Sequence, residues 1–226
     1  MQIDQFTSRD LDSAREMILA ADHVGLPISK IFGDVMQPAL VELGMRWERG
    51  ELLVAQEKEI SELARDIVAQ LASRHVHPHP SGPPLVAASV EGEHHDLGLR
   101  MIICMLRATG SMVHFLGANV RSRFILEAVQ MHQLRAMLLS AKLDGSLPAT
   151  RDTIEALNTG ALNYSAVDII VGGAIVSAND DQLRAWGATP VRSHNLTEIC
   201  ETVWETVNRS RERTDDAEAT ARRTGH

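Results

Sequence analysis

The sequence predicts an α/β protein, with an N-terminal helical bundle followed by a flavodoxin-like, doubly wound parallel sheet of five strands. Three observations carry this. Up to Arg74, apolar residues recur at helical spacing with few chain breakers. From 75 to 84 the chain reads His-Val-His-Pro-His-Pro-Ser-Gly-Pro-Pro, which precludes regular structure. Beyond it, short continuous apolar runs alternate with amphipathic stretches, the pattern of strands buried on both faces beneath helices.

The bundle occupies residues 1–74. Leu11, Ala14, Ile18 and Leu19 share one face of a first helix that Ser8 or Asp10 can cap. A second helical stretch starts near Pro27 and carries Ile31, Val35, Leu40 and Leu43 before Gly44. A third, Val54 to Leu71, sets Val54, Glu57, Ile60, Ser61, Ala64, Ile67, Val68 and Leu71 on neighbouring turns. Short connections between such helices make an antiparallel bundle. Residues 75–84 form a semi-rigid linker, and 85–208 the sheet domain. Its strands are expected at Leu85–Val90, Met112–Leu116, Ala136–Ser140, Val167–Val171 and near Pro190–Arg192. Its helices are expected near Leu99–Ala108, Phe124–His132, Asp152–Leu157 and Leu196–Val207. The charged tail, 209–226, has almost no large apolar residue and reads as frayed helix or disorder.

Composition narrows the function. The chain has 226 residues, 44% hydrophobic and 23% charged, enough to bury a sizeable core. Lys and Arg number 22 against 30 Asp and Glu, a net charge of -8 without a dense basic cluster, which argues against direct nucleic-acid binding. No apolar run is long enough to span a bilayer, and the first ten residues are too polar for a signal peptide. Cys104 and Cys200 lie in apolar patterns and make no disulfide framework. A soluble, cytoplasmic protein is expected.

In a doubly wound sheet, ligands sit beyond the carboxyl ends of the strands. The loop after the first strand reads Val90-Glu91-Gly92-Glu93-His94-His95-Asp96-Leu97-Gly98. A single loop histidine is usually just solvated. Here, however, Glu93, His95 and Gly98 make the pattern E-x-H-x-x-G. After a further 41 residues (99 to 139) Ser140 ends the third strand, and Gly172-Gly173 closes the fourth. Taken singly, Ser140 is a strand end and the glycine pair a strand-to-helix turn.

Together these motifs, with their spacing, resemble the cobalamin-binding domain of methionine synthases, corrinoid carriers and cobalamin-sensing regulators. The resemblance covers residues 85 to about 208 and implies a role for each position. Neutral imidazole is a good cobalt ligand, so His95 becomes the lower axial ligand, displacing the cofactor's own nucleotide base. Glu93 accepts the other ring N–H and fixes the tautomer. Gly98 lets the loop approach the corrin. The displaced nucleotide enters a slot beside Ser140, Gly172 and Gly173. The family often reads S-x-L at the serine; here Lys142 holds the third position, either reaching solvent or meeting a phosphate of the tail.

The helical half carries a second resemblance. Trp47, Gly50, Val54 and Glu57 match the W-x-x-G-x-x-x-V-x-x-E segment of bundles that cap cobalamin, nearest to light-sensing, adenosylcobalamin-dependent regulators. It implies that Trp47, Val54 and Glu57 cover the upper axial face, Trp47 stacking on the adenosyl group. The alternative for Trp47 is core packing within the bundle. Lys58 and Glu48 stand where those regulators often carry histidines, so an upper-face imidazole is missing from both places. Their DNA-binding domain is also missing from the resemblance.

The implied function is a cobalamin-binding photoreceptor or sensor that signals through domain rearrangement, a protein partner or a homo-oligomer. A corrinoid carrier of a methyltransferase system is the alternative. Carriers commonly read H-D-x-G-K-N, where this chain has His95-Asp96-Leu97-Gly98-Leu99-Arg100. The small subunit of a radical mutase is a third option. No nucleophile–base pair points to catalysis by the chain itself. His75, His77 and His79 read as a polar hinge, while His114 and His132 leave room for a second tetrapyrrole such as biliverdin.

Overall fold

The computed structural model describes residues 11–82, 84–134, 136–160 and 167–209. The expected caps at Ser8 and Asp10, and nearly all of the tail, lie outside the described residues. Three helical elements build the bundle. Helix α1 spans Leu11–His23. Helix α2 comprises Ile28–Lys30, a π-helical stretch Ile31–Met36 and Gln37–Glu48. Helix α3 spans Val54–Arg74. The second helix therefore runs on through Gly44, and its wider π turn buries Ile31, Phe32 and Met36 together.

The sheet domain alternates β1 (Leu85–Ser89), α4 (Leu97–Ala108), β2 (Val113–Phe115), α5 (Ser122–Met131) and β3 (Ala136–Ser140). It continues with α6 (Leu147–Gly160), β4 (Asp168–Gly172), α7 (Val176–Ala185), β5 (Ala188–Pro190) and a helix, α8, over 196–209. Every pairing is parallel, in the order β2-β1-β3-β4-β5. This is the expected doubly wound sheet. Its strand order reverses between β1 and β3, where a crevice opens at the carboxyl ends.

Two elements depart from the sequence expectation. Helix α7 is unannounced by hydrophobic periodicity because only Val176 and Leu183 among its apolar residues face the core. Its buried Asp180 is held instead by Arg184 and Arg192. The last strand lies at Ala188–Pro190, two residues earlier than expected. It is an edge strand, and Pro190 sits at its end, where a missing N–H costs no ladder bond.

One sheet face packs on α5, α6 and α7 through Ile125, Val129, Ile154, Leu157 and Leu183. The other packs on α4 and α8 through Leu99, Ile103, Leu106, Val203 and Val207. Helix α4 is buried on both sides. Its Met101, Cys104 and Met105 belong to the same core as Ile60, Ile67 and Leu71 of α3. Burial pushes the Cys104 thiol up to about 11 and the Cys200 thiol to about 12, so both stay protonated.

The linker is irregular, as its prolines require, but it is strapped down. The His77 amide donates to the Arg107 carbonyl and the Gly82 amide to the Gly110 carbonyl. A Cβ on Gly82 would lie 2.8 Å from the Trp204 ring, so only glycine lets the strap pass there. His75 and Arg74 both engage Asp22 of α1. Among the described residues, no helix is long and apolar enough to cross a membrane.

Because α3 and α4 share a core, bundle and sheet are expected to unfold together. Leu71→Ala, at a fully buried position, should cost about 2–5 kcal/mol. Thermal melts followed by far-ultraviolet dichroism and tryptophan fluorescence should show one coincident transition. Two resolved transitions would mean that the halves hold independent cores.

Candidate functional site

The β1–α4 loop leaves the sheet at the β1/β3 crevice, and the Val90 amide donates to the Ser140 carbonyl across it. Gly92, at φ +82, turns the chain back with a conformation that favours glycine. Its amide donates to Asn119 Oδ1, and the Asn119 amide donates in return to the Glu93 carbonyl. Asn119 itself adopts φ 55. Sequence reading passed over this residue. The available signal was an asparagine after Gly117-Ala118 at a strand end, since asparagine tolerates that conformation.

Glu93 is fully buried. Its Oε1 accepts the His95 backbone amide at 2.8 Å and engages the His95 ring at Nδ1, 2.7 Å away. Its Oε2 accepts the Lys142 and Leu143 amides at 2.7 and 3.1 Å, with Ser146 Oγ at 3.4 Å. Burial pushes the carboxyl up, but the hydrogen bonds from His95, Lys142 and Leu143 outweigh it and hold the group below its ordinary value of 4.5. An ionised Glu93 accepts from Nδ1–H, which leaves Nε2 as the lone-pair nitrogen. The His95 side chain is 52% exposed. This is an imidazole aimed outward and fixed in the tautomer that ligates metal through Nε2.

The residue after it is anchored to the bundle. Asp96 is buried, 2.7 Å from Arg100 Nε of α4 and 3.2 Å from Arg65 Nε of α3. The Arg100 guanidinium lies over the Phe115 ring at 4.9 Å. Lys142 contributes its backbone N–H to Glu93, while its side chain is exposed. Gly98 is exposed, with open space where a Cβ would stand.

The register sets Ser89, Ser140 and Gly172 side by side at the carboxyl edge of β1, β3 and β4. By the alternation of side chains all three lie on the sheet face covered by α4 and α8. The glycine pair divides in two. A Cβ on Gly172 would meet nothing within 4 Å. Gly173 stands at φ +109, and a Cβ there would come within 2.1 Å of the Ala141 carbonyl oxygen. Gly173 is required by the turn; Gly172 borders free space.

Trp47, Val54 and Glu57 share one end of the bundle. The Gly50 amide donates to the Trp47 carbonyl and the Glu51 amide to the Arg46 carbonyl, with Gly50 at φ +72. This glycine-capped terminus closes α2 directly after Trp47. The Gln56 side chain accepts the Leu53 amide and starts α3 at Val54. Trp47 is 47% exposed and Val54 61% exposed, so Trp47 is not core packing. The half-buried Glu57 carboxyl accepts from Ser61 Oγ at 2.7 Å and pairs with Lys58 at 3.2 Å. Burial raises it, but these partners, with a smaller contribution from His95, hold it below its ordinary range.

The expectation for His114 and His132 as contacts of a second tetrapyrrole changes. His114 and His132 stack on one another, ring centroids 3.8 Å apart. His114 pairs in register with Val86, three residues before Ser89 on β1, or about 10 Å back along the strand. They face each other and not the crevice. Among the described residues, no group of three or more His, Cys, Asp or Glu is placed to hold a metal ion.

A buried carboxylate orients an exposed imidazole, open space lies at Gly172, and Arg65 of α3 ties the same loop to the bundle, an arrangement that suits a corrinoid ligand. Comparison with known proteins agrees. Models described as B12 binding domain match residues 83–192 and 3–72. The chain is 31% identical over 137 residues to dimethylamine corrinoid protein 3 of Methanosarcina mazei, covering 59% of this chain and 80% of that protein. It is 32% identical over 150 residues to the HTH-type transcriptional repressor CarH of Myxococcus xanthus, covering 66% of this chain and 48% of the repressor. The structure of the Methanosarcina barkeri monomethylamine corrinoid protein superposes with a TM-score of 0.77 at 22% identity, over 90% of this chain and 95% of that one. The chain belongs to the B12-binding family, and it is a cobalamin-binding protein.

Two outcomes are expected. Glu93→Gln should weaken cobalamin binding by roughly 10–100-fold, the usual effect of losing the group that orients a metal-bound histidine. The Glu93 carboxyl is depressed on folding, so its ionised form stabilises the protein above about 4.5 and that contribution disappears as pH falls through the folded value. The variant's stability should accordingly fall less steeply in that acid range, measured by denaturant melts in a pH series. Gly172→Val should abolish or weaken binding while leaving the melting temperature of the cofactor-free protein close to wild type. A large loss of stability would assign Gly172 to the turn, with Gly173.

Proposed function

We propose that this chain is a cobalamin-dependent light sensor that holds adenosylcobalamin base-off, with His95 as lower ligand and the bundle over the upper face. The carrying observation is the pair of exposed apolar side chains Trp47 and Val54, which the α2–α3 turn sets at one end of the bundle together with Glu57. Large apolar side chains left half-open at a ligand site are surface awaiting a partner. The kinship with the repressor CarH supports the same reading.

Bound adenosylcobalamin supplies a cobalt–carbon bond that light breaks. The protein's own residues do the rest. His95, oriented by Glu93, holds the cofactor from below. Gly98 lets the loop approach the corrin, Ser140 and Gly172 border the path of the displaced nucleotide, and Gly173 makes the turn that keeps that path open. Trp47 stacks on the adenosyl group, Val54 packs beside it, and Glu57 accepts from its ribose hydroxyls. Loss of that group removes contacts made only by the bundle. This differential affinity can shift the bundle, or alter assembly with a protein partner or a second copy. The Arg65–Asp96 pair carries such a shift to the loop that holds His95. A second tetrapyrrole is left out of the proposal, since the rings of His114 and His132 stack on each other.

The kinship with dimethylamine corrinoid protein 3 supports a second reading, a methyl carrier for a methyltransferase. One experiment separates the two. Adenosylcobalamin-loaded protein, spectrally base-off in the dark, should change elution volume on size exclusion after illumination. Trp47→Ala should reduce the preference for adenosylcobalamin over methylcobalamin by roughly two- to tenfold, the worth of one aromatic stack. His95→Ala should bind weakly or base-on. Identical elution in dark and light, with equal affinity for both cobalamins, would falsify the sensor and leave the carrier.

A further inference from the structure

Ser89 ends β1 with no exposed surface. Its amide donates to the Gly117 carbonyl at 3.0 Å and its carbonyl accepts from the Val120 amide at 3.1 Å, so the backbone is fully paired. Its hydroxyl is not. Ser89 Oγ and Arg15 Nε are the buried side-chain polar atoms without a hydrogen-bond partner among the described residues. Arg15 makes its ion pair with Asp66 through another nitrogen, whereas Ser89 has no second polar atom on its side chain. Buried hydroxyls are seldom left unpaired in folded proteins, and those that are mark a missing partner or a functional site.

The position of the orphan supplies the missing partner. Leu85 and Ala87 point to the face under α4 and α8, and Val86, Ala88 and Val90 to the opposite face. Strand alternation therefore aims Ser89 at the first of these. Its register partner Ser140 and the next residue in the row, Gly172, share that face. Neighbouring strands are about 4.8 Å apart, so the row spans roughly 10 Å, close to the length of a fused heterocycle with its sugar. The free space begins at Gly172, where a Cβ would touch nothing within 4 Å. Ser89, Ser140 and Gly172 thus form a row of small residues at the crevice, with open space at one end and a buried, unpaired hydroxyl at the other.

We infer that Ser89 Oγ hydrogen-bonds the nucleotide tail of the cobalamin and so makes the protein select corrinoids that carry a tail. The hydroxyl both donates and accepts, and it suits a ring nitrogen or a ribose oxygen. This rests on the base-off binding proposed above. Ser140 borders the outer part of the slot, and Ser89 reads its inner end.

The test uses two ligands with the same upper group, adenosylcobalamin and adenosylcobinamide, which lacks the nucleotide. Full-length wild type and Ser89→Ala are titrated with each in the dark. The cofactor-free melting temperature of both is measured in parallel. Ser89→Ala should bind adenosylcobalamin about five- to tenfold more weakly, the usual worth of one neutral hydrogen bond left unmade in a buried site. Its affinity for adenosylcobinamide should be unchanged, and its melting temperature equal to or above wild type, because the substitution removes an unpaired polar atom. Equal affinities of variant and wild type for adenosylcobalamin, or equal losses for both ligands, overturn the inference. If wild type itself binds adenosylcobalamin with a base-on spectrum, the tail is not in the slot and the base-off reading falls too. That outcome is visible before any variant is made.

Discussion

The site depends on one buried carboxylate. Glu93 is held by donors from its own loop, from the segment after β3 and from the 3-10 turn that carries Ser146. Two stretches of chain, the loop around Glu93 and the segment 142–146 that lies 49 to 53 residues further on, converge on two oxygens. A buried carboxylate without such partners is costly, and hydrogen bonds to an ionised group are about twice as strong as neutral ones. Satisfying this single charge therefore fixes the β1–α4 loop against β3. The same charge sets the His95 tautomer. Structure and ligand chemistry meet at the same atoms, and neither can be altered alone.

From there the constraint passes into the bundle. Asp96, next to His95, is gripped by Arg65 of α3 and Arg100 of α4. Arg65 lies on the same helix as Glu57 and Val54, two or three turns further along. A disturbance at the Trp47 end thus has a stiff path to the loop that carries His95, through one helix and one ion pair. The packing of α3 on α4 keeps that path short. The strapped linker adds a covalent tie whose course is set by Asp22, Arg107, Gly110 and Trp204. Movement between bundle and sheet, where it occurs, is then a small shear at a packed interface and not a free swing about residues 75–84.

Much of the fold was legible because its signals are local. Continuous apolar runs marked four strands, and helical periodicity marked α1, α3, α4 and α5. The π turn in α2 was not legible, since its cause is the need to bury Ile31, Phe32 and Met36 at once against other helices. Helix α7 was missed because its stability comes from the Asp180 ion pairs and two apolar contacts. The motif residues Glu93 and His95 were found by spacing. Asn119 and Ser146 were not, because each acts on Glu93 or its loop across the crevice, at a distance no sequence window spans.

By itself, the sequence determined the fold class and the family, and it singled out Glu93 and His95, which the structure brings into contact. These follow from residue type and spacing, which the chain carries in one dimension. Only the tertiary structure decided that Gly172 borders open space while Gly173 serves the turn, and that Trp47 is presented outward. Only it left the Ser89 hydroxyl without a partner among the described residues and turned His114 and His132 on each other. Each of these depends on what lies across the sheet or on a neighbouring helix, and that is settled by packing, after the chain has folded.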